Sequence, residues 1–371
     1  FNLHWDKTVE TDVADRLYAF TSDESVVTVT KNGDDFVITP TGIRYGLVTV
    51  VIVDSDNMTA GPDEEHRFWG SFTVNVYAEG LNSDGDDIVT NARVYAGNNI
   101  SYAIQRNGTA WMWGDNTYGF SGVDAAQNMF NTPYTIKGVR GVNLGDRSVK
   151  DPNTGASVED GIVDISVSED NNSSAYHAVA LSTRGDVFAW GYNYWGQVGV
   201  NKSAGDYGAG SNQFAAVEKA PQRVLAGESP FWYTYDTDGN RVENGEGDVK
   251  YLTGVVAVSA GQEHTLALLK NGMVLAWGHN NVHQVGDGRE AVVVPQLVRL
   301  GAGVGDTDIL SNVIAISAGD HTSSVLRSDG TVMTWGNNTN GQLGDGSAKT
   351  KYYANFVKVD YDRDGKIEAV D

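Results

Sequence analysis

One phrase recurs four times in the 371-residue chain, and it constrains the fold more than any other feature. Each copy has a turn glycine, a tryptophan five residues later and a second glycine directly after the tryptophan. The turn glycine and the tryptophan of each copy are, in order, Gly108 and Trp113, Gly185 and Trp190, Gly272 and Trp277, and Gly330 and Trp335. Such a pattern is typical of repeat architectures, in which each copy forms one structural unit.

The Trp-Gly units predict a β-propeller. In the third unit, short runs of β-forming or turn residues lie at 255–261, 264–268, 272–278 and 284–288. Four short strands per unit are typical of a propeller blade. We therefore predict an all-β chain in which residues 81–371 form propeller blades.

Three motifs point to a particular propeller family. They are Ser317-Ala318-Gly319, His264-Thr265-Leu266-Ala267-Leu268, and Trp335-Gly336-Asn337-Asn338 followed by Gly341-Gln342-Leu343-Gly344. With these motifs, residues 88–371 resemble the repeats of the family named for the regulator of chromosome condensation. The resemblance implies a ring of seven blades. Since only four Trp-Gly units are present, we expect the ring to be completed by something outside residues 1–371, such as a continuation of the chain or another copy.

The repeated residues are expected to have structural roles. A turn glycine supplies a positive φ at low cost, and a tryptophan packs a large flat surface against a neighbouring blade. An asparagine two residues after each Trp-Gly pair is expected to hold the return loop through hydrogen bonds to the backbone. We therefore predict that the four tryptophans are equivalent buried positions at blade interfaces.

Residues 1–80 contain no copy of the repeat and are predicted to form a separate β-sandwich. Alternating runs lie at 25–30, 35–39, 47–53 and 71–77, and Asn32-Gly33 is a strong hairpin signal. With its runs at 21–29 and 72–76, this region resembles bacterial immunoglobulin-like domains of cell-surface proteins. The resemblance implies a spacer or adhesive module outside the cell, joined to the repeats by a turn-rich linker at 79–87.

Composition excludes several classes of function. The chain has 48 acidic and 26 basic residues, a net charge of −22, and such a surface repels nucleic acid. It has no cysteine, which excludes disulfides, thiolate metal sites and cysteine nucleophiles. No apolar run approaches the ~20 residues needed to span a bilayer, so we predict no membrane span.

A long insertion between the second and third units contains closely spaced aromatic residues. They are Phe231, Trp232, Tyr233 and Tyr235. The cluster is either a small core within the loop or an exposed binding loop. Loops on a rigid scaffold are where binding specificity commonly lies.

The acidic end of the chain fits a calcium loop in part. Acids lie at the first, third, fifth and twelfth positions of a loop with glycine at the sixth: Asp360, Asp362, Asp364 and Asp371. The alternative is a plain hairpin, because no helical pattern precedes the loop. His279 and His283 have a spacing that would hold zinc on a helix, but they align with the return loop of the other units. No other cofactor is expected.

Two functions remain open. The first is a non-enzymatic protein, extracellular or on a bacterial cell surface, that uses propeller loops to bind a protein or glycan for adhesion or assembly, with self-association as one form. The alternative is a secreted inhibitor or binder that covers a partner enzyme. Nucleotide exchange, the activity of the protein for which the family is named, is disfavoured by the acidic charge. We expect no enzymatic activity, because the sequence contains no recognisable catalytic motif.

Overall fold

The computed structural model describes six strands between residues 2 and 76, followed by most of the repeat region. The described ranges after residue 76 are 92–97, 99–139, 141–148, 160–168, 176–206, 215–236, 241–287, 291–301, 308–359 and 368–369. Every regular element in them is a β-strand, which confirms the all-β prediction. None of the described residues forms a helix long and apolar enough to cross a membrane.

The six N-terminal strands form two antiparallel sheets of three strands. They are β1 (Asn2–Leu3), β2 (Leu17–Thr21), β3 (Val27–Asn32), β4 (Asp35–Pro40), β5 (Gly46–Asp54) and β6 (Phe68–Val76). The sheet orders are β1-β4-β3 and β2-β5-β6. Val27 and Ile38 of the first sheet and Val48 and Val50 of the second form one buried cluster. The immunoglobulin-like domain and its boundary at residue 80 stay predictions, and the linker at 79–87 lies outside the described residues.

Each Trp-Gly unit forms a four-stranded antiparallel sheet, here called a blade, whose strands follow one another in sequence order. Blade 1 contains β7 (Arg93–Ala96), β8 (Ile100–Ile104), β9 (Ala110–Asp115) and β10 (Met129–Thr135). Blade 2 contains β11 (Ile162–Val167), β12 (His177–Ser182), β13 (Val187–Tyr192) and β14 (Val217–Arg223).

The remaining strands include blades 3 and 4. A small insertion sheet contains β15 (Trp232–Tyr235), β16 (Arg241–Glu243) and β17 (Tyr251–Leu252). Blade 3 contains β18 (Val255–Ala260), β19 (His264–Leu269), β20 (Val274–His279) and β21 (Ala291–Leu297). Blade 4 contains β22 (Val313–Ala318), β23 (Thr322–Arg327), β24 (Val332–Gly336) and β25 (Lys351–Phe356). A final pair contains β26 (Lys358–Val359) and β27 (Glu368–Ala369).

The middle strands of blades 2 and 3 are buried on both faces. Successive side chains of a strand point to opposite faces of the sheet, so each middle strand contributes to two junctions. In β12, Val179 and Leu181 join the core shared with blade 3, whereas Ala178 and Ala180 join the core shared with blade 1. Burial on both sides explains why these strands are almost continuously apolar.

Three of the four repeat tryptophans fill the junctions between blades. Trp190, Trp277 and Trp335 have no exposed surface. Each lies against a glycine in the return loop of the preceding blade, namely Gly122, Gly199 and Gly286 in turn. A Cβ added at Gly199 would lie 2.8 Å from Trp277 Nε1, so the indole occupies the space that a side chain would need.

A shared carbonyl oxygen joins the tryptophan to its preceding blade. Gln197 O accepts hydrogen bonds from Trp277 Nε1 at 2.8 Å and from Thr265 Oγ1 at 3.0 Å. Thr265 Oγ1 also lies 2.8 Å from His177 Nε2. Because the hydroxyl has one hydrogen and gives it to the carbonyl, His177 Nε2 must donate. We call this arrangement the junction clasp.

The junction between blades 3 and 4 repeats the clasp. Gln284 O accepts from Trp335 Nε1 at 2.8 Å and from Ser323 Oγ at 2.7 Å. His264 Nε2 lies 2.9 Å from Ser323 Oγ. The first junction differs, because Ala178 has no hydroxyl. There Trp190 Nε1 donates to the Tyr102 hydroxyl at 3.2 Å, and that hydroxyl donates to Ser121 O at 3.3 Å.

The repeat asparagines are buried and hold the return loops. Asn193, Asn280 and Asn338 each accept a hydrogen bond through Oδ1 from the backbone N–H five residues later, at 2.8, 2.8 and 3.0 Å. Asn116 instead accepts from the Ser121 hydroxyl at 2.6 Å. These bonds fix the loop that carries the clasp carbonyl.

Trp113 differs from the other three tryptophans, so the predicted equivalence is wrong at this position. It is only partly buried. Each repeat tryptophan faces the blade that precedes it, and among the described residues no blade precedes blade 1. Blades 1 and 4 also make no contact of the kind that joins neighbouring blades, so the described sheets do not close into a ring.

We expect Trp277→Ala to lower the free energy of unfolding by about 3 to 5 kcal/mol, because it empties a fully buried site. Trp113→Ala is the matched control and should cost clearly less, since its indole is already partly exposed. Urea denaturation of both variants measures the difference. Equal losses would contradict the assignment of Trp113 to an open face.

Stability should also fall in acid. Burial lowers the pKa of both His177 and His264 to about 3, against about 6.5 in an unfolded chain. Between these values only the unfolded chain takes up the proton, so the free energy of unfolding decreases as the pH falls from 6.5 towards 3. Each histidine contributes a loss of about 2 kcal/mol between pH 6.5 and 4.5. Urea denaturation at both pH values should show that His264→Asn loses less than the wild type, and identical losses would contradict this reason.

Candidate functional site

The two faces of the blade array carry different features. In every blade, the loops after the first and third strands lie on one face, and the turns after the second and fourth strands lie on the other, because the strands alternate in direction. The first is here called the rim face and includes Glu263 and His279. The second is called the hairpin face and includes the turns at Gly185 and Gly272, and it carries the insertion sheet.

The predicted binding loop forms a small core on the hairpin face. Tyr233 is 1% exposed, and its ring centroid lies 5.7 Å from that of Tyr235 and 5.5 Å from that of Tyr251. Phe231, Trp232 and Tyr235 are half-buried. The structure thus packs Tyr233 and Tyr235 together with Tyr251, whereas Phe231 packs against the core that includes blade 3 and Trp232 Nε1 donates to Gly245 O. A partner does not reach Tyr233.

A buried ion pair attaches the insertion sheet to blade 2. The Arg241 guanidinium donates to the carboxylate of Asp186, which is 2% exposed, and to Thr253 Oγ1 at 3.1 Å. Thr253 Oγ1 donates to Asp186 Oδ1 at 2.8 Å. Burial opposes the charge on Arg241, but its hydrogen bonds to Asp186 and Glu243 and their charges raise its pKa.

A cavity of about 540 Å³ lies beside this ion pair. It is lined by residues that include Phe231, Arg241, Glu243 and Lys270. The Lys270 ammonium lies 4.4 Å from the centre of the Phe231 ring. The two carboxylates of Asp186 and Glu243 balance the positive charges of Arg241 and Lys270, so the cavity offers little net positive charge for an anionic ligand.

The rim face carries a continuous row of aromatic rings across blades 1, 2 and 3, here called the aromatic rim. Its members in order are Tyr118, Phe120, Tyr192, Tyr194, Trp195 and His279. Successive ring centroids lie 5.5, 5.8, 6.3, 4.7 and 4.1 Å apart. The row crosses two blade junctions, so both junctions must form before it exists.

Trp195 is held in place by blade 3. Its indole Nε1 donates to Glu263 Oε1 at 3.1 Å, and its ring stacks on His279 with an interplanar angle of 5°. His279 Nδ1 lies 2.5 Å from Glu263 Oε2. One carboxylate thus orients both rings, while the indole and the Tyr194 ring keep part of their surface exposed.

Sequence reasoning missed the aromatic rim. Tyr118 and Trp195 occupy the second position after the repeat asparagine, where the later blades have Val282 and Asn340. The available signal was the run Tyr192-Asn193-Tyr194-Trp195, which concentrates aromatics in one return loop. The run alone indicates no site, because Trp195 meets its partners Glu263 and His279 only across a blade junction.

The predicted metal sites gain no support. Within the described residues, no three or more acidic or histidine side chains cluster as metal ligands do. His279 bonds to Glu263, and His283 stacks on Tyr352 with ring centroids 3.6 Å apart. Asp360, Asp362, Asp364 and Asp371 lie outside the described residues, so calcium binding stays a prediction.

Comparison with known families tests the resemblance of the repeats. Residues 162–197, 255–284 and 313–342 match the regulator of chromosome condensation (RCC1) repeat, and residues 271–326 match a second description of the same repeat. The chain contains RCC1 repeats. The matched segments lie in blades 2, 3 and 4, which confirms the predicted type of repeat there. The bacterial surface type stays a prediction.

Several proteins with similar sequences cover the RCC1 repeats. The human E3 ubiquitin-protein ligase HERC2 is 25% identical over 280 residues, which are 68% of this chain and 5% of HERC2. Protein pim1 of Schizosaccharomyces pombe is 32% identical over 181 residues, which are 46% of this chain and 28% of pim1. The chain therefore spans less than a third of the length of either relative.

The expectation of a non-enzymatic protein is contradicted by these relatives, because several are named as ligases. Besides HERC2, the probable E3 ubiquitin-protein ligase HERC6 of Homo sapiens is 28% identical over 255 residues, 68% of this chain and 19% of HERC6. The expectation rested on the absence of catalytic motifs in this chain. The names describe whole proteins, of which the chain matches a small part.

Two solved structures resemble this one at low sequence identity. Prp20p from Saccharomyces cerevisiae, described with its binding to Gsp1p and histones, has a TM-score of 0.47 and 14% identity, covering 84% of this chain and 61% of Prp20p. Human WBSCR16 has a TM-score of 0.45 and 17% identity, covering 88% of this chain and 66% of that one.

We expect Arg241→Ala to loosen the insertion sheet, because it leaves the Asp186 carboxylate buried without its cation. Removing one partner of a buried pair costs about 3 to 5 kcal/mol. Hydrogen exchange of β15–β17 should accelerate strongly. Arg184→Ala is the control: its ion pair with Asp160 is half exposed and should contribute less than about 1 kcal/mol. Unchanged exchange in Arg241→Ala would show that the pair does not hold the sheet.

Proposed function

We propose that the RCC1 repeats of this chain form a protein-interaction module that binds a basic segment of a partner protein through the aromatic rim. The observation that carries this proposal is the row of rings fixed across two junctions, in which the buried Phe120, Tyr192 and His279 support the accessible parts of Tyr118, Tyr194 and Trp195. Tryptophan and tyrosine are the residues that most often dominate binding energy at protein interfaces.

The aromatic rim is ordered before any partner binds. Glu263 and His279 hold the Trp195 ring, so binding does not have to immobilise it. Anchors fixed in advance increase affinity, because less conformational freedom is lost on association. Tyr118, which is 39% exposed, begins the row in blade 1.

Charge favours a basic partner. The chain has a net charge of −22, which attracts cations over long range and increases association rates. Close to the rim, lysine or arginine side chains gain from the faces of Tyr and Trp rings and from the Glu263 carboxylate. A basic protein segment offers both kinds of contact, whereas an acidic one is repelled.

This proposal is compatible with adhesion or assembly and with the covering of a partner enzyme. If the bound partner is part of another cell surface or assembly, binding at the rim results in adhesion or assembly. If the partner is an enzyme, the same contact inhibits it. A glycan partner and an extracellular or cell-surface location stay predictions.

We expect Trp195→Ala to weaken binding of a fluorescent peptide of alternating arginine and glycine at least tenfold, as expected for an aromatic anchor. Fluorescence anisotropy at fixed salt measures the affinity. Trp232→Ala, which removes a half-buried indole on the hairpin face, is the matched control and should bind as the wild type does. Equal affinity in Trp195→Ala and the wild type would refute the role of the rim.

A further inference from the structure

The cavity of about 540 Å³ on the hairpin face has the size of a small-molecule site. Such sites have volumes of roughly 300 to 1,000 Å³. Three parts of the chain line it: Gly185 belongs to a turn of blade 2, Val255 to the first strand of blade 3 and Glu243 to the insertion sheet. The cavity therefore forms only when the insertion sheet packs on both blades.

The interior of the cavity is mainly apolar. Gly185, Thr253 and Val255 are buried, and Phe231 and Val256 are half-buried. The Thr253 hydroxyl donates its hydrogen within the buried ion-pair network that attaches the insertion sheet. What the interior offers to a ligand is thus chiefly the phenylalanine ring and the two valine side chains.

The mouth of the cavity carries an ammonium group. Arg184 and Lys270 both line the cavity and are exposed. Arg184 forms an ion pair with Asp160, whereas no acidic side chain of the described residues forms an ion pair with Lys270. The Lys270 ammonium lies 4.4 Å from the centre of the Phe231 ring. An aromatic face stabilises a cation without neutralising it, so the positive charge of Lys270 is available to a ligand.

A carboxylate lies at the same mouth. Glu243 lines the cavity, and its side chain is 59% exposed. Its Oε1 accepts a hydrogen bond from Arg241 Nε. Because a carboxylate has two oxygens and about four lone-pair sites, Glu243 can accept from a ligand through Oε2 while it remains bonded to Arg241. The mouth thus presents charges of both signs around an apolar interior.

We propose that this cavity binds a free amino acid with a large apolar side chain. The α-carboxylate pairs with Lys270, the α-ammonium pairs with Glu243, and the side chain packs against Phe231 and Val256. A zwitterion matches both charges at the mouth, whereas a ligand with a single charge matches only one of them. The site lies on the face opposite the aromatic rim, so it does not depend on the function proposed for the rim.

Isothermal titration calorimetry of the full 371-residue chain with L-phenylalanine tests the proposal. We expect saturable binding. Phenylalanine amide lacks the carboxylate, N-acetylphenylalanine lacks the ammonium, and L-alanine keeps both charges but has little apolar surface. Each of these three compounds should bind at least about tenfold more weakly than L-phenylalanine, because each loses one of the three contacts.

Two variants assign the contacts to their residues. Lys270→Met should weaken L-phenylalanine binding at least about tenfold but bind phenylalanine amide as the wild type does, since the amide makes no ion pair with Lys270. Glu243→Gln keeps an acceptor for Arg241, and it should weaken L-phenylalanine equally but bind N-acetylphenylalanine as the wild type does. Lys250→Met is the matched control: its ammonium lies 4.3 Å from the centre of the Trp232 ring, outside the cavity lining.

The control variant should bind L-phenylalanine with wild-type affinity, and circular dichroism verifies that each variant is folded. No binding of L-phenylalanine would overturn the proposal, even if a peptide bound in its place. Binding of either blocked compound as tightly as the free amino acid would do the same. So would an affinity for L-phenylalanine that Lys270→Met and Glu243→Gln leave unchanged.

Discussion

The backbone carbonyl of the return loop, which receives the next blade's tryptophan, is the contact on which the array depends. At two junctions a single oxygen, on Gln197 or Gln284, accepts both an indole N–H and a hydroxyl. A carbonyl oxygen has two lone pairs, so two donors satisfy it completely in a buried place. The neighbouring asparagine fixes the return loop and therefore the position of its carbonyl oxygen. Because that oxygen binds the tryptophan of the next blade, each blade sets the position of the one that follows it.

This dependence explains which substitutions the repeat tolerates. Blade 1 has Tyr102 where blades 2 and 3 have Val179 and Leu266, and blade 2 has Ala178 where blade 3 has Thr265. In place of the missing threonine hydroxyl, the tyrosine hydroxyl accepts from the indole and donates to a return-loop carbonyl, whereas at the other junctions the indole donates to the carbonyl directly. The first junction therefore keeps an indole donor and a hydroxyl donor but links them in series, and its acceptor is the carbonyl one position later in the return loop.

The sequence alone was enough to predict the repeat, its strands and its turns, because the glycine and tryptophan spacings reflect local geometry. It did not predict that Trp113 differs from Trp277, since the two have the same local pattern and differ in whether a blade precedes them among the described residues. The aromatic rim was missed for a related reason: Trp195 and His279 are distant in the chain and meet only across a junction. Likewise, the insertion's core around Tyr233 depends on Arg241, whose partner Asp186 lies in blade 2.

The shared burial of the middle strands has a consequence for how this chain can be divided. Half of the apolar residues of β12 have their contacts in blade 1 and half in blade 3. A blade cut out alone would therefore expose two apolar faces, and its own sheet would retain too little buried surface to offset the loss of chain entropy. The smallest independently folding piece of the array is thus larger than one repeat. Duplication or loss of a blade during evolution succeeds only when the new neighbours fit each other's faces.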